Sequence, residues 1–127
     1  MRILMVNYEF PPVGGGGATA NYYLAREMVR AGHEVTVVTS YFQGLALEET
    51  VAGIRVLRVK LRRQRRDFTR FHEMLQYVLF ALPKLRRLCR HEHFDVVHTF
   101  FAVPSGPAGY VASRAARAPH IIRLGGG

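Results

Sequence analysis

The chain contains a single cysteine, Cys89, among its 127 residues. This count excludes an internal disulfide and suits the reducing environment of the cytoplasm. In the helical pattern that it occupies, Cys89 is expected to be a small core residue. The N-terminus lacks the charged flank, apolar run and cleavage site of a secretory signal, because it enters a strand-like segment directly. We therefore expect a cytoplasmic protein.

Long apolar runs and acidic side chains are also scarce. The longest apolar stretch, at residues 77–82, is far too short to span a bilayer. Lys and Arg number 18 against 9 Asp and Glu, which gives a net charge of +9. Apolar residues make up 49% of the chain, which excludes a disordered or fibrous protein and suits one domain with a real core.

Much of the positive charge lies in one short segment. Seven basic residues fall within thirteen positions, with only Asp67 against them: Arg58, Lys60, Arg62, Arg63, Arg65, Arg66 and Arg70. Such a cluster favours an anionic partner, either a phosphorylated substrate, an acidic lipid surface or a nucleic acid. The alternative interpretation is a solvated loop whose charge only aids solubility.

The first forty residues form one strand–loop–helix–strand pattern. Apolar residues 2–7 predict a first strand and residues 34–39 a second, with a loop and a helical pattern between them. Gly32 ends the helix, because glycine can adopt the left-handed conformation that closes a helix C-terminus. Two buried strands joined through a helix form a right-handed parallel unit. The loop at residues 8–17 then lies at the carboxyl edge of a parallel sheet, where such folds bind ligands.

The rest of the chain predicts three more strands, at residues 53–60, 94–99 and 119–124, a connecting loop at residues 43–52, and helices that start near Phe68 and Pro104. The alternating residues 53–60 indicate an edge strand exposed on one face. Pro83 predicts a kink or a break in its helix. Because helix or crossover length separates each pair of strands, we expect a Rossmann-like α/β fold. Its five-stranded parallel sheet would have the order 3-2-1-4-5 and helices on both faces.

Four consecutive glycines, Gly14 to Gly17, indicate a phosphate site, but two common types do not fit. The dinucleotide fingerprint needs glycines directly after the first strand and an acid at the end of the second, which instead ends Thr39-Ser40. The P-loop needs Gly-Lys-Ser/Thr, and Ala18-Thr19 follows here. There remains a loop whose backbone can approach a ligand closely and direct N–H groups toward an anion. The alternative is a flexible glycine linker.

Several segments, in this order, resemble the family 4 retaining glycosyltransferases of the GT-B fold. Their opening is matched by Tyr8-Glu-Phe-Pro-Pro-Val-Gly-Gly-Gly, then Leu24-Ala25, then Gly32-His-Glu-Val-Thr-Val-Val-Thr39. Asp95-Val-Val-His98 is similar to the family's Asp-x-x-His at the fourth strand, and Arg123-Leu-Gly-Gly-Gly to its fifth-strand exit. The resemblance spans essentially the whole chain.

The resemblance implies two facing Rossmann-like domains in the complete enzyme. Residues 1–127 would be the N-terminal, acceptor-side domain of a truncated chain, and the missing C-terminal domain would bind most of the donor. The enzyme would transfer a sugar from a nucleotide diphosphate sugar to a hydroxyl of a glycan, lipid-linked or small-molecule acceptor, with retention of anomeric configuration. No cofactor and no essential metal are implied. The isolated chain is expected to be inactive and to bind the donor poorly.

The resemblance also implies roles for particular residues. Gly15 and Gly16 would approach the donor diphosphate, with Gly17 extending the loop. His98 would orient the sugar, and no protein nucleophile is assigned because the diphosphate would help to accept the proton. Weaker candidates for acceptor or donor contacts are Glu9, Asn21, Thr99 and Arg123. Many members have a second histidine where this chain has Phe100, which indicates a more apolar contact there.

Strand order gives an independent reason to consider His98. In the order 3-2-1-4-5, strands one and four are neighbours whose carboxyl ends flank the crevice where connections diverge. His98 and the glycine loop would meet there, and a neutral imidazole can hydrogen-bond a sugar hydroxyl. The alternative is a histidine that caps a buried strand end. Two ligands in His91-Glu92-His93 are insufficient for a metal site.

Two other functions stay open at this point. One is a module that binds an anionic surface or a nucleic acid, and the other is a non-catalytic domain that binds a nucleotide or sugar phosphate. The basic segment lacks the interleaved aromatics of a single-strand platform, so we expect no nucleic acid. Instead, four arginines next to Phe68 and Phe71 are expected to attach the protein peripherally to the anionic inner face of the membrane: Arg62, Arg63, Arg65 and Arg66.

Overall fold

A computed structural model describes residues 1–7, 16–41, 44–60, 70–100 and 105–123. Its elements, in chain order, are β1 (Arg2–Val6), α1 (Gly16–Arg30), β2 (Glu34–Ser40), β3 (Glu48–Val51), β4 (Ile54–Val59), α2 (Arg70–His91), β5 (Val96–Phe100), α3 (Ser105–Ala116) and β6 (His120–Arg123). Within these ranges, every helix is too short or too polar to cross a membrane.

The strands form one six-stranded sheet with the order β3-β4-β2-β1-β5-β6. All neighbours from β4 to β6 pair in parallel, which confirms the predicted order 3-2-1-4-5 for the five predicted strands. In this register Met5 of β1 lies between Val37 of β2 and His98 of β5. The carboxyl ends of β1 and β5 are therefore side by side.

The sixth strand, β3, was not predicted from the sequence. The predicted loop at residues 43–52 contains β3, which pairs antiparallel with β4 through a two-residue turn. Ala52 and Gly53 form this turn with φ values of 52° and 81°, the positive values that a tight hairpin needs. The prediction of β4 as an edge strand was therefore wrong. Because β4 has a neighbour on each side, it is buried along most of its length.

Burial of β4 changes the interpretation of Arg58. Its side chain is only 1% exposed, and it pairs with Glu49 Oε1 at 3.1 Å and donates to the Ala46 carbonyl at 2.9 Å. Arg58 is thus a structural ion-pair residue rather than part of an exposed basic cluster. Loss of Glu49 would be destabilising, because the Arg58 charge would stay buried without a counter-charge.

Apolar side chains form one buried layer on each face of the sheet. Along β1, Ile3 and Met5 pack on the α1 side, whereas Leu4 and Val6 pack with α2 and α3 on the other side. Cys89 belongs to the second layer, which confirms that it is a core residue. Burial raises the pKa of its thiol to about 11, so the thiol is protonated at neutral pH.

Two helix features were predicted from glycine and proline. Gly32 has a φ of 94°, and the Gly32 and His33 N–H groups donate to the Val29 and Met28 carbonyls, which confirms the predicted left-handed cap. A kink or a break was predicted at Pro83, and the structure shows no break, because α2 continues through this residue. Pro83 lies on an exposed part of α2, where water can reach the carbonyl that loses its backbone donor.

An ion-pair network ties together the amino ends of the strands. Glu92 accepts hydrogen bonds from Arg55 at 2.8 and 2.9 Å and from Arg2 at 2.7 Å. The Arg55 hydrogen bond is the main reason that the pKa of Glu92 lies below its usual value. These contacts link β1 and β4 to the segment before β5, so Glu92 is held by arginines of two strands.

The β3–β4 turn gives a stability prediction. We expect Ala52→Asn to raise the free energy of unfolding by roughly 0.5–1 kcal/mol, because asparagine tolerates positive φ better than alanine. Gly53→Ala should have the opposite effect, because its Cβ would lie 2.8 Å from Val29 Cγ1 at a strained φ. Urea denaturation of both variants measures the difference. Destabilisation by Ala52→Asn would contradict the turn assignment.

Candidate functional site

The carboxyl edge of β1 and β5 is the place where candidate ligand-binding groups come together. Val6, the last residue of β1, lies opposite Thr99, so the two strands end within one residue of each other. Asn7 follows β1 directly, is fully buried, and donates its N–H to the Val38 carbonyl at 3.2 Å. Sequence analysis did not select Asn7, although a polar residue that ends an apolar strand was an available signal.

The first turn of α1 opens at this edge. Gly16 and Gly17 are the first two residues of the helix, and the first turn contains no acidic residue. N–H groups in a first turn have no intrahelical acceptor and carry the positive end of the helix dipole. Because glycine has no side chain, a ligand can approach this backbone closely. The arrangement can therefore stabilise an anion.

His98 lies near the same edge, on the α1 side of the sheet. It pairs with Met5 of β1 and Ile121 of β6 and is half-buried. Val96, two residues earlier, packs with the buried layer beneath α1. Because alternate residues of a strand share a face, His98 and α1 lie on the same side of the sheet.

Asn21 is a buried polar residue of α1. Its side chain is fully buried, one turn before the fully buried Ala25. Within the described part of the chain, neither Nδ2 nor Oδ1 of Asn21 has a hydrogen-bond partner. An unsatisfied buried amide costs about 1–3 kcal/mol. A ligand or a chain segment that hydrogen-bonds to this amide would remove the cost.

Thr99 lies on the opposite face of β5 from His98, because neighbouring strand residues point to opposite sides. Its side chain is fully buried, and its Oγ1 lies 2.5 Å from His120 Nε2. Burial lowers the pKa of His120, which favours the neutral ring in this contact. Gly109 of α3 packs directly over the pair. Thr99 therefore joins β5 to β6, and this placement argues against contact with a ligand held at His98.

The remaining predicted residues are Arg123, at the end of β6, and several residues outside the described ranges. Arg123 ends β6 opposite Phe100, the last residue of β5, so its backbone lies at the carboxyl edge. Several predicted residues lie outside the described ranges: Glu9, Gly15, Arg62, Arg63, Arg65 and Arg66. The attachment of the basic segment to a membrane stays a prediction. Sequence analysis missed His120 and Gly109, although a glycine inside a helical pattern often marks close packing.

Comparison with known proteins identifies the family to which the chain is similar. The model of a family described as Glycosyltransferase Family 4 matches residues 14–124. An uncharacterized glycosyltransferase of Methanocaldococcus jannaschii is 43% identical over 102 residues. That match covers 77% of this chain but only 24% of the relative, so the chain spans about a quarter of the relative's length.

Solved structures share the fold. The C-terminal domain of a Pyrococcus furiosus hydrogenase superposes with a TM-score of 0.68 at 20% identity, over 97% of this chain and 90% of the other. A UGT transferase from Siraitia grosvenorii in complex with UDP superposes with a TM-score of 0.64 at 12% identity, over 98% of this chain and 28% of the other. At such low identities the likeness shows the fold alone.

The packing of α3 on β5 gives a testable prediction. A Cβ added at Gly109 would lie 2.6 Å from His120 Nε2 and would collide with Thr99 Oγ1. We expect Gly109→Ala to lower the free energy of unfolding by about 1–3 kcal/mol, as overpacked cores do. The loss should be smaller in a Thr99→Ala background, since the nearest colliding atom is gone. Equal losses in both backgrounds, measured by chemical denaturation, would contradict this packing.

Proposed function

The chain belongs to glycosyltransferase family 4, and from this premise we propose that it is the N-terminal, acceptor-side domain of a retaining glycosyltransferase. The complete protein would transfer a sugar from a nucleotide diphosphate sugar to an acceptor hydroxyl. One observation carries the proposal: the glycine-led first turn of α1 and His98 lie on the same face and at the same edge of the sheet. The remaining length of the relative leaves room for a donor-binding domain.

The first turn of α1 would bind the donor diphosphate. Gly16 and Gly17 would present N–H groups and the positive helix end to its oxygens, with Gly15 extending this surface. Negative charge grows on the diphosphate as the bond to the sugar breaks. Donors placed in advance at that position stabilise the transition state more than the ground state. The same oxygens would help to accept the proton of the attacking hydroxyl.

His98 would orient the transferred sugar. Its half-buried position leaves part of the ring accessible while β1 and β6 hold its strand from both sides. One ring nitrogen can hydrogen-bond a sugar hydroxyl while the protein fixes the other. The acceptor would attack on the face that the leaving group vacates, so retention needs no protein nucleophile. We propose no essential metal for this reaction.

Asn21 is the best supported of the weaker candidates for ligand contact. Its amide is buried without a partner among the described residues, so a ligand hydroxyl or a ligand-bound loop would satisfy it. Glu9 and Arg123 complete the proposed contacts at this edge. The acceptor would be a glycan, a lipid-linked molecule or a small molecule with a hydroxyl. Thr99 is excluded from the proposed contacts because it packs under α3.

The glycine turn is tested by adding bulk to it. In the full-length protein, Gly16→Val should reduce sugar transfer by roughly tenfold to a hundredfold, because its side chain displaces the diphosphate from the backbone. Ala20→Val is the control, since it places the same valine side chain one turn later at an exposed position. Transfer rates are measured by nucleotide release, with thermal melts as a check on folding. Full activity of a folded Gly16→Val variant would contradict the assignment.

The role of His98 is tested by removing its ring. We expect His98→Ala to lower kcat/KM by about tenfold or more, the value of one hydrogen bond that strengthens in the transition state. His93→Ala is the control, because His93 lies near the amino ends of the strands and contacts Asp95. If a binding-only domain were the true function, nucleotide sugar would bind but no product would form with the wild-type protein. Unchanged kcat/KM in His98→Ala would remove His98 from the site.

A further inference from the structure

The described arginine side chains form two groups according to their partners. One group forms ion pairs with glutamates: Arg2, Arg26, Arg30, Arg55 and Arg58. The other group lies on α2, on α3 and just after α3: Arg86, Arg87, Arg90, Arg114 and Arg117. Within the described ranges, no side chain of this second group forms an ion pair or a hydrogen bond. The second group therefore lacks counter-charges.

Among the side chains that the structure describes, no carboxylate is left to neutralise it. Every acidic side chain that the structure describes already pairs elsewhere: Glu27, Glu34, Glu48, Glu49, Glu92 and Asp95. An uncompensated cluster of cations creates a positive potential that attracts an anionic partner.

Three of these arginines border a groove between the two helices. Arg86 and Arg90 of α2 and Arg114 of α3 line a volume of about 400 Å³. The remaining lining residues are Tyr110, Val111 and Ala115. The Arg114 guanidinium lies 6.0 Å from the centre of the Tyr110 ring. The groove thus combines three guanidinium groups with an apolar and aromatic wall.

Helix electrostatics explain only part of this cluster. Arg90 and Arg114 lie in the last turns of their helices, where a cation is favoured by the helix dipole. Arg86 and Arg87 precede the last turn of α2, so the dipole gives them little stabilisation. Arg86 also lines a second hollow of about 330 Å³ with Arg87, Arg90 and His91. The basic surface therefore extends beyond what the helix ends require.

We propose that the groove between α2 and α3 is a binding site for the phosphate group of a ligand. A phosphate has several oxygens and one or two charges, so it can engage guanidinium groups from both helices, whereas one arginine can satisfy a carboxylate. Tyr110, Val111 and Ala115 would contact the part of the ligand that carries the phosphate. The α2 and α3 helices cover the face of the sheet opposite α1. The site is therefore separate from the proposed transfer site and does not depend on it.

The test compares a groove variant with a charge-matched control in the full-length protein. Arg86→Gln/Arg114→Gln removes one groove arginine from each helix. Arg26→Gln/Arg30→Gln removes the same charge from α1, on the opposite face of the sheet. Inorganic phosphate is titrated at low salt, and binding is followed through the backbone amide signals of Arg86, Arg90, Tyr110 and Arg114. Vesicles of phosphatidylcholine with phosphatidylglycerol test a phosphate that belongs to a lipid.

We expect saturable shifts with phosphate that weaken by about tenfold or more in the groove variant and by less than about twofold in the control. Binding to the phosphatidylglycerol vesicles alone, with the same dependence on the groove arginines, would also support the site and would assign the phosphate to a lipid. Equal weakening in both variants would overturn the proposal, because charge alone would then explain binding. Binding of neither probe would overturn it as well.

Discussion

The parallel pairing of β1 with β5 is the constraint on which the site depends. Their crossovers leave on opposite faces of the sheet, so a crevice opens where the carboxyl ends meet. The register places His98 opposite Met5 and turns it toward α1. A slip of one residue would move His98 to the α3 side and bring Thr99 to the crevice. The contact of buried Thr99 with His120 beneath Gly109 opposes that slip, because both partners lie on the α3 side.

The parallel sheet could be predicted because its strands are apolar and helix-length segments separate them. The prediction failed at β3, which is short and half-exposed and contains Glu48 and Glu49, so no burial pattern marks it. The turn residues Ala52 and Gly53 were a local signal that was overlooked. The burial of Arg58 was not predicted for the same reason, because it depends on neutralisation by Glu49 of β3. An ion pair between two strands cannot be read from the spacing of apolar residues in either strand.

Sequence patterns predicted the edge of the sheet where the candidate residues lie better than the direction of their side chains. The glycine run and the position of His98 predicted the edge, and the structure places Gly16, Gly17 and His98 on one side of the sheet. Thr99 was one of the weaker candidates that followed from the family resemblance, although strand alternation turns its side chain away from His98. On α2, Arg86, Arg87 and Arg90 are exposed. Their lack of partners and the groove with α3 depend on how two distant helices pack, which one helix alone cannot show.

The most direct test of the account is a crystal structure of the full-length protein with a nucleotide diphosphate sugar that it uses. The account predicts diphosphate oxygens within hydrogen-bond distance of the Gly16 and Gly17 N–H groups, and the sugar ring against the His98 imidazole. A diphosphate bound away from α1, with the first turn and His98 both without contact to the donor, would contradict it.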